Sequence, residues 1–380
     1  MRAEDLQRLE QKFPANDLRR PEEQFRDALE LGVPSARILA QEIHADLSPE
    51  HFGIAWWREH VPTRRRILIG DQLGLSAIAI ETNLVEARLH HLEALDLLER
   101  CGRRSGLHVA VTPQGQLHTE LRRLESAADH LPGEQATLNI VGFFRAVGSA
   151  LDCLGASMVG VAALPTRLLR AGMREAREGL EGANGGSDGA VAQLELHEQF
   201  EALVQAAGPT GWLEWVGNFR NMVVHRGRHL NMWMCLPTGG RVALPDGRIQ
   251  VGLEEVLYLT RDPSRGEIDC WRDDVEHFTL AEDARETING IWASTKFLVE
   301  RTSALLLALW RRRRAHPDLL VQPDRQWPDV NLPAPPTFRG YRPRPPTAGD
   351  TSMVSSPAFT QRLQAAGLQG DRRARWAGFD

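Results

Sequence analysis

The chain has few cysteines, and none lies in a pattern that binds metal or builds a disulfide framework. The four cysteines among the 380 residues are scattered and include no C-x-x-C pair: Cys101, Cys153, Cys235 and Cys270. Scattered single cysteines are typical of buried thiols in a reducing compartment. We therefore predict neither disulfides nor a zinc site.

Several signatures of catalysis and nucleotide binding are also missing. The sequence has no G-x-x-x-x-G-K-[ST] loop, no G-x-G-x-x-G after a strand and no H-E-x-x-H. Its G-x-S-x-G run, Gly185–Gly189, lies in a glycine-rich loop predicted between two helices and not in the strand-to-helix elbow of an esterase. These observations argue against ATPases, dehydrogenases, metalloproteases and esterases. His90 and His91 are adjacent, so on a helix they point in different directions and make a poor pair of metal ligands. We expect no metal and no cofactor.

Long uninterrupted hydrophobic runs are absent as well. The most apolar stretches lie near 138–164 and 291–310, and charged residues interrupt both of them. The segment from Arg2 to Arg8 is charged and contains no apolar run. We therefore expect neither a membrane span nor a signal peptide, and we predict a cytoplasmic protein.

Lysine is nearly absent, since only Lys12 and Lys296 occur and arginine carries almost all of the positive charge. The formal net charge is −5, which argues against a surface that is basic throughout. Any contact with nucleic acid must therefore be a local patch. At 380 residues, the chain is long enough for two or three domains.

The most specific feature that is present is the run Asn218-Phe219-Arg220-Asn221-Met222-Val223-Val224-His225-Arg226-Gly227. Thr210 after a proline predicts a helix N-cap, and Gly227 predicts the end of that helix. Apolar residues recur between them at helical spacing: Trp212, Trp215, Val216, Phe219, Met222 and Val223. At about 100° per residue, four residues fall on the opposite half of the helix: Arg220, Asn221, Val224 and His225.

Arg220, Asn221 and His225 form a set that could act on a phosphodiester. Arginine holds phosphate, and histidine gains or loses a proton near neutral pH. Asn221 and His225 are four residues apart, so the amide could orient the imidazole. Such a set could cleave an RNA backbone without a metal. The alternative is an ordinary solvated face of an amphipathic helix, and His229, one turn further on, fits a supporting position better than a catalytic one.

Arg220-Asn221-x-x-x-His225 resembles the R-x4-6-H motif of the HEPN superfamily (higher eukaryotes and prokaryotes nucleotide-binding domains). The resemblance covers roughly residues 135–315. It implies a helical bundle that pairs as a homodimer and brings two motifs together across a cleft. Many members are metal-independent ribonucleases, often toxins, components of toxin–antitoxin pairs or antiviral defence proteins, whereas others have lost catalysis and only bind. In this chain the resemblance implies that Arg220, Asn221 and His225 are catalytic.

Residues 36–130 resemble a winged helix-turn-helix. A helix, a glycine-containing turn and a capping serine are predicted over Arg64–Ser76, and Leu89–Arg100 resembles the end of a recognition helix. The basic turn with Arg103 and Arg104 leads into a strand predicted at Leu107–Val111, after which the Thr112–Gly115 run predicts the start of another helix. Such domains bind DNA through wing cations or serve as docking modules, and both interpretations stay open.

The sequence thus predicts a mainly α protein: a winged helix-turn-helix followed by a HEPN-like bundle with a small β insertion. The predicted ranges are an N-terminal helical extension (1–35), a winged-helix-like domain (36–130), a HEPN-like domain (135–315, with the β insertion at about 230–262) and a Pro/Arg-rich disordered tail (316–380). A helix broken at Pro165 is expected over 135–180. Turns are expected at 238–240 and 245–247, and a closing helix at 280–314.

Other charged residues have two interpretations each. Asp152 is either a third polar group near Arg220 and His225 or a residue on the wet side of its helix. Arg226 and Arg228 are weaker candidates for contact with nucleic acid, as are Arg103 and Arg104. The run Arg311–Arg314 either complements the C-terminus of its helix or contacts an RNA backbone.

Two functions follow from these patterns. The first is a metal-independent endoribonuclease of the HEPN type, a toxin or defence effector that acts on RNA as a homodimer. His225 would then serve as general acid or base, and Arg220 would hold the scissile phosphate. The second is a non-catalytic regulator that binds DNA or a protein partner through the winged helix, with the helical domain for dimerisation or ligand sensing.

Overall fold

The computed structural model describes residues 30–47, 63–102, 107–112, 114–121, 127–164, 171–183, 185–225, 231–245, 247–260, 263, 281–316 and 319. Most of the predicted N-terminal extension lies outside these residues. So does the predicted tail at 316–380, apart from His316 and Leu319. Those predictions stay predictions.

Within the described residues the protein is mainly α-helical, as the sequence predicts. Seven α-helices occur there: α1 (Pro34–Leu47), α2 (Thr63–Gly102), α3 (Ala127–Ala162), α4 (Met173–Glu181), α5 (Asp188–Ala207), α6 (Trp212–His225) and α7 (Ala284–Ala315). One antiparallel sheet contains the strands β1 (Leu107–Val111), β2 (Leu117–Leu121), β3 (Asn231–Ala243), β4 (Ile249–Thr260) and β5 (Ala281–Asp283).

The described residues divide into two compact units. The first unit takes those within 30–33, 81–150 and 203–299, and the second takes those within 34–80, 151–202 and 300–319. Four long helices, α2, α3, α5 and α7, contribute residues to both units. Each unit therefore combines parts of the predicted ranges 36–130 and 135–315, and those domain boundaries stay a prediction.

The sheet belongs to the first unit and has the strand order β2-β1-β4-β3, with β5 beside β4. Strands β3 and β4 form a long hairpin, and the predicted turn at its tip is confirmed, with Gly247 at a φ of +83°. The turn predicted at 238–240 is wrong, because β3 continues through it with a register shift between Pro237 and Arg241. Proline has no N–H for a ladder bond, which accounts for a bulge there.

Helix α2 corrects the prediction of a turn within Arg64–Ser76. A single helix runs from Thr63 to Gly102 without a break at Gly70 or Gly74. A glycine in a helix costs about 1 kcal/mol relative to alanine. Apolar side chains at helical spacing offset that cost by burial: Leu73, Ala77, Ile80, Leu84 and Ala87. Packing therefore outweighs the local preference of glycine for a turn.

The helix predicted to begin at Thr112–Gly115 is also wrong, because the chain makes a β-hairpin there. Gly115 takes a φ of +80°, and the backbone N–H of Thr112 donates to the carbonyl oxygen of Gln116 at 2.8 Å. The N–H of Gln116 in turn donates to the Thr112 hydroxyl at 3.0 Å. The hairpin then pairs with β4, where Val109 lies opposite Val251.

Aromatic rings pack α6 against α3 in the first unit. Phe144 of α3 lies 4.2 Å from Phe219 and 5.5 Å from Trp215, measured between ring centroids. Phe143 contacts Phe144 edge-on at 5.2 Å. Phe143, Phe144 and Phe219 are fully buried. Such ring pairs contribute beyond their buried area, and they orient α6 in the first unit.

In the second unit, α3 ends at Ala162, close to the predicted break at Pro165. Ala163 leaves the helix in the left-handed conformation, with a φ of +49°. Two buried side chains bind the carbonyl groups at this end. Gln193 donates to Ala162 at 2.8 Å, and the guanidinium of Arg313 donates to Val161, to Ala162 at 2.9 Å and to Leu319 at 3.4 Å. The last carbonyls of α3 are thus satisfied without water.

The basic run Arg311–Arg314 is used inside the protein. Arg311 and Arg314 pair with Glu42 at 2.5 and 2.9 Å, and Arg312 pairs with Glu195 at 3.2 Å. Arg313 is the buried cap of α3 described above. Arg313 therefore binds the C-terminus of α3, and the other three arginines pair with carboxylates on α1 and α5. All four also lie at the C-terminal end of their own helix, where cations are favoured. Contact of these residues with an RNA backbone stays a prediction.

Among the described residues, the helical stretch Leu131–Ala162 is long and apolar enough to cross a membrane by length and composition. However, 72% of its most apolar window is buried within the protein. The core helix of a soluble protein has the same composition, so this stretch is weak evidence for a membrane span.

Candidate functional site

Helix α6 carries the Arg/Asn/His motif, and its start is built by local contacts. It begins at Trp212, directly after Gly211, whose φ of +81° favours a residue without Cβ. The indole N–H of Trp212 donates to the carbonyl oxygen of Val204 at 3.0 Å. This bond ties the first turn of α6 to the end of α5.

The apolar stripe predicted on α6 is confirmed. Four of its six residues are buried: Trp212, Val216, Phe219 and Met222. Leu213, which the stripe did not include, is buried as well. Trp215 and Val223 are half-buried at its margins, whereas Asn221 and Val224 are exposed. The helix therefore has one core face and one open face, as its period predicts.

Arg220 lies at the border of the core face, not on the opposite half of the helix as predicted. Its side chain is half-buried and its Nε atom is buried. The aliphatic part crosses α3, because a Cβ atom placed on Gly148 would lie 2.9 Å from Cγ of Arg220. The Nη1 group donates to Oδ1 of Asn221 at 3.2 Å. The aliphatic part of Arg220 is thus held against α3, and its guanidinium is held by Asn221 next to the exposed face.

Asn221 and His225 stand one turn apart on α6. The exposed amide of Asn221 accepts the hydrogen bond from Arg220 through its oxygen. His225 is the last residue of the helix, and its side chain lies outside the part of the structure that is described. The backbone therefore places Arg220 and Asn221 in one turn of α6 and His225 in the next. The side chains of Arg220 and Asn221 are in contact.

Asp152 has a structural partner of its own. Its Oδ1 accepts a hydrogen bond from the backbone N–H of Met173 at 3.3 Å, at the first residue of α4 in the second unit. A carboxylate at a helix N-terminus is stabilised by the helix dipole. Neither interpretation offered for Asp152 from the sequence included this role. Arg103, Arg104, Arg226, Arg228 and His229 lie outside the described residues.

A polar cluster on α2 and α3 was missed in the sequence. The exposed Arg145 donates to Glu86 at 2.7 Å, and Glu86 lies 3.9 Å from Nε2 of His90. Nδ1 of His90 lies 2.9 Å from Oδ1 of Asn139. From the sequence alone, Arg145 was only one of the charged residues that interrupt the apolar stretch near 138–164. The sequence did contain a signal for this residue, because Arg145 is a charged residue in a mostly apolar stretch and lies three residues before Gly148.

His91, next to this cluster, is buried and held as a neutral ring. Its Nδ1 accepts from Nη1 of Arg88 at 2.7 Å, so its Nε2 donates to Oδ1 of Asn289 at 2.8 Å. The ring stacks on Trp292 at 5.8 Å between centroids, and Arg88 lies 5.5 Å above the same indole. Burial, helped by the charge of Arg88 and opposed by the bond to Asn289, lowers the pKa of His91 to about 4.

In the part of the chain that the structure describes, no group of three or more His, Cys, Asp or Glu residues could hold a metal ion. Comparisons with protein-family models, with curated proteins and with solved structures found no match to this chain. A functional assignment therefore depends on the chain's own residues, and the motif on α6 is the most specific set among them.

Proposed function

We propose that the protein is a metal-independent endoribonuclease of the HEPN type, with Arg220, Asn221 and His225 as its catalytic residues. The observation that supports this function is the placement of Arg220. Its aliphatic part lies against α3 at Gly148, its guanidinium donates to the amide oxygen of Asn221, and His225 follows Asn221 by one turn. A guanidinium that is held in place one helical turn from a histidine offers the two groups that metal-free phosphodiester cleavage uses.

Cleavage of the RNA backbone requires that the ribose 2′-OH loses a proton and that the departing 5′ oxygen gains one. His225 takes the proton of the ribose 2′-OH, and the 2′ oxygen attacks the phosphorus. The bond from phosphorus to the 5′ oxygen breaks, and that oxygen receives a proton from the protonated imidazole or from water. Arg220 neutralises the charge that develops on the phosphate, and Asn221 orients the imidazole. The products are a 2′,3′-cyclic phosphate and a 5′-OH.

The quaternary and cellular parts of this proposal come from the resemblance. A homodimer would bring two motifs together across a cleft, and RNA would be the partner bound there. A cytoplasmic toxin or defence effector fits an enzyme that cleaves RNA without a cofactor. The exposed side of α6, with Asn221 and Val224, is the side on which such a cleft would form.

The test is cleavage of a labelled RNA panel by purified protein in excess EDTA. Wild-type protein should yield cyclic-phosphate ends, and His225→Ala and Arg220→Ala should each abolish cleavage. His44→Ala, which changes an exposed histidine near the end of α1, is the matched control and should cleave like wild type. Residual activity of His225→Ala or Arg220→Ala within a few-fold of wild type would exclude the assignment.

A regulator that binds DNA is the second candidate, and the β1–β2 hairpin after α2 is the observation that favours it. A hairpin after a helix is the wing arrangement, although the uninterrupted α2 lacks the predicted turn. Gel-shift titrations on duplex DNA would decide between the two functions. A salt dependence that weakens in Arg103→Ala and Arg104→Ala supports the regulator.

A further inference from the structure

Two arginines of the first unit cover neighbouring positions on α3. Arg145 and Gly148 are three residues apart on this helix, and such positions are surface neighbours with about 5–6 Å between their Cβ atoms. Arg220 crosses α3 at Gly148, where its Cγ takes up the space of a side chain. The Cβ atom of Arg145 and the Cγ atom of Arg220 therefore occupy neighbouring positions on α3, and the side chain of Arg145 is 59% exposed.

Arg145 has one carboxylate partner, Glu86, which is itself 43% exposed and lies at 2.7 Å. Exposed ion pairs contribute little, because water screens them and both long side chains lose freedom. A phosphate is a stronger partner for a guanidinium than a solvated carboxylate, since it offers more acceptor oxygens and more charge. Glu86 is thus a weak internal counter-ion that an incoming phosphate can displace.

We infer that Arg145 binds the phosphate next to the one held by Arg220, and that Glu86 competes with RNA for Arg145. The inference rests on the proposed function. It adds the class of substrate that the site binds. A site that holds two successive phosphates takes an oligonucleotide strand and not a mononucleotide. Arg145 is a binding residue in this scheme, because it holds the strand and leaves proton transfer to His225.

The inference makes two predictions of opposite sign. Arg145→Ala removes a phosphate contact and should weaken binding of an oligonucleotide. Glu86→Gln keeps the shape of the side chain, removes the competing charge and should strengthen binding. A purely structural ion pair would give neither result, since loss of either partner would then leave affinity unchanged. Arg145→Lys retains the charge and should bind almost like wild type, because phosphate also accepts a point charge.

The experiment is fluorescence-anisotropy titration of a single-stranded 2′-O-methyl RNA over a series of salt concentrations. The blocked 2′ position prevents cleavage, so binding is measured separately from the reaction. Another exposed pair, Arg174 with Glu178 at 3.7 Å and 80% and 66% exposed, supplies the controls. Arg174→Ala and Glu178→Gln should bind like wild type.

For Arg145→Ala we expect binding weaker by roughly tenfold and a salt slope smaller by about 0.7, the value for one phosphate contact on a single strand. Glu86→Gln should bind several-fold more tightly. Equal affinities for Arg145→Ala and Arg174→Ala would overturn the inference, even if wild-type protein cleaves RNA. Binding that follows these signs without any cleavage would support the strand site and count against the ribonuclease. Absence of binding by wild type would overturn both.

Discussion

Arg220 of α6 lies across Gly148 of α3, with its Cγ atom 2.9 Å from the position that a Cβ atom on Gly148 would occupy. Real Cβ atoms almost never approach another atom so closely. The missing side chain of Gly148 is therefore what allows the guanidinium to lie where it meets Asn221. A backbone position on one helix thus determines the geometry of a candidate catalytic group on another.

Gly148→Ala should displace Arg220 and reduce both cleavage and stability. Overpacking of this kind costs about 1–3 kcal/mol. In an Arg220→Ala background the space is already free, so the same substitution should cost nothing and can gain up to about 1 kcal/mol from helix propensity. A double-mutant cycle of unfolding free energies in urea measures this coupling without any need for activity.

Gly217→Ala is the control for that cycle, because it lies on α6 with no atom within 4 Å of its added Cβ. It should leave cleavage unchanged and stabilise slightly. Equal losses of stability for Gly148→Ala in the two backgrounds would show that Arg220 is not what the added methyl group meets.

Gly155→Ala should destabilise the second unit. Its Cβ would lie 2.5 Å from the carbonyl carbon and oxygen of Gly172 and from Cα of Met173. These are backbone atoms, which cannot rotate away as a side chain does, so we expect a loss of at least about 2 kcal/mol. Gly290→Ala, with no atom near its added Cβ, should instead be neutral or stabilising. Thermal melts of both variants check the contrast in sign.

His91 should make the stability of the protein fall as the pH is lowered. The folded state holds the pKa of His91 at about 4, against 6.5 for an ordinary histidine. As the pH falls from about 6.5 towards 4, the unfolded chain binds a proton that the folded chain excludes. The loss approaches about 3 kcal/mol when both states are protonated. Urea unfolding at about pH 7 and about pH 5 measures it.

A variant without the imidazole separates His91 from other titrating groups. His91→Asn should be less stable than wild type at neutral pH, because Arg88 and Asn289 lose their partner. Its stability should nevertheless fall less between the two pH values. The same decrease in both proteins would assign the pH dependence to groups other than His91.

Arg313→Met should cost roughly 3 kcal/mol of stability, although it keeps an unbranched apolar stem at this position. The substitution removes the donors to the carbonyl oxygens of Val161 and Ala162 in a fully buried environment. Arg312→Met, on the exposed side of the same turn, should cost less than about 1 kcal/mol. Chemical denaturation of the two variants gives the difference, and equal costs would refute the capping role of Arg313.

The sequence predicts α6 and β1 well, because both carry a local pattern. In α6, residues at helical spacing such as Trp212, Phe219 and Met222 are the ones that become buried. The break assigned near Gly70 fails for a non-local reason. Leu73 packs against Gly160, where an added Cβ would lie 2.6 Å from its Cδ1 atom, and no local pattern in α2 reveals that contact.

The candidate site shows the same division. The identity of Arg220, Asn221 and His225 can be read from a short motif, but the support of Arg220 by Gly148 depends on a helix far away in sequence. Arg313 is a stronger example, because it stands in a run of four arginines that looks solvated. Its burial follows from the position of the α3 C-terminus, which composition and spacing cannot predict.

The pairing of β1 with β4 has a consequence for the order of folding. Val109 meets Val251, so the contact closes a loop that contains α6, and contacts of such sequence separation form slowly. Until β4 has been synthesised, β1 and β2 have only each other, and an isolated two-stranded hairpin is marginally stable in water. A nascent chain that ends at His225 already carries every proposed catalytic residue, but it lacks β3, β4 and β5. The ribosome would therefore synthesise the proposed catalytic residues of this chain before the sheet can form completely.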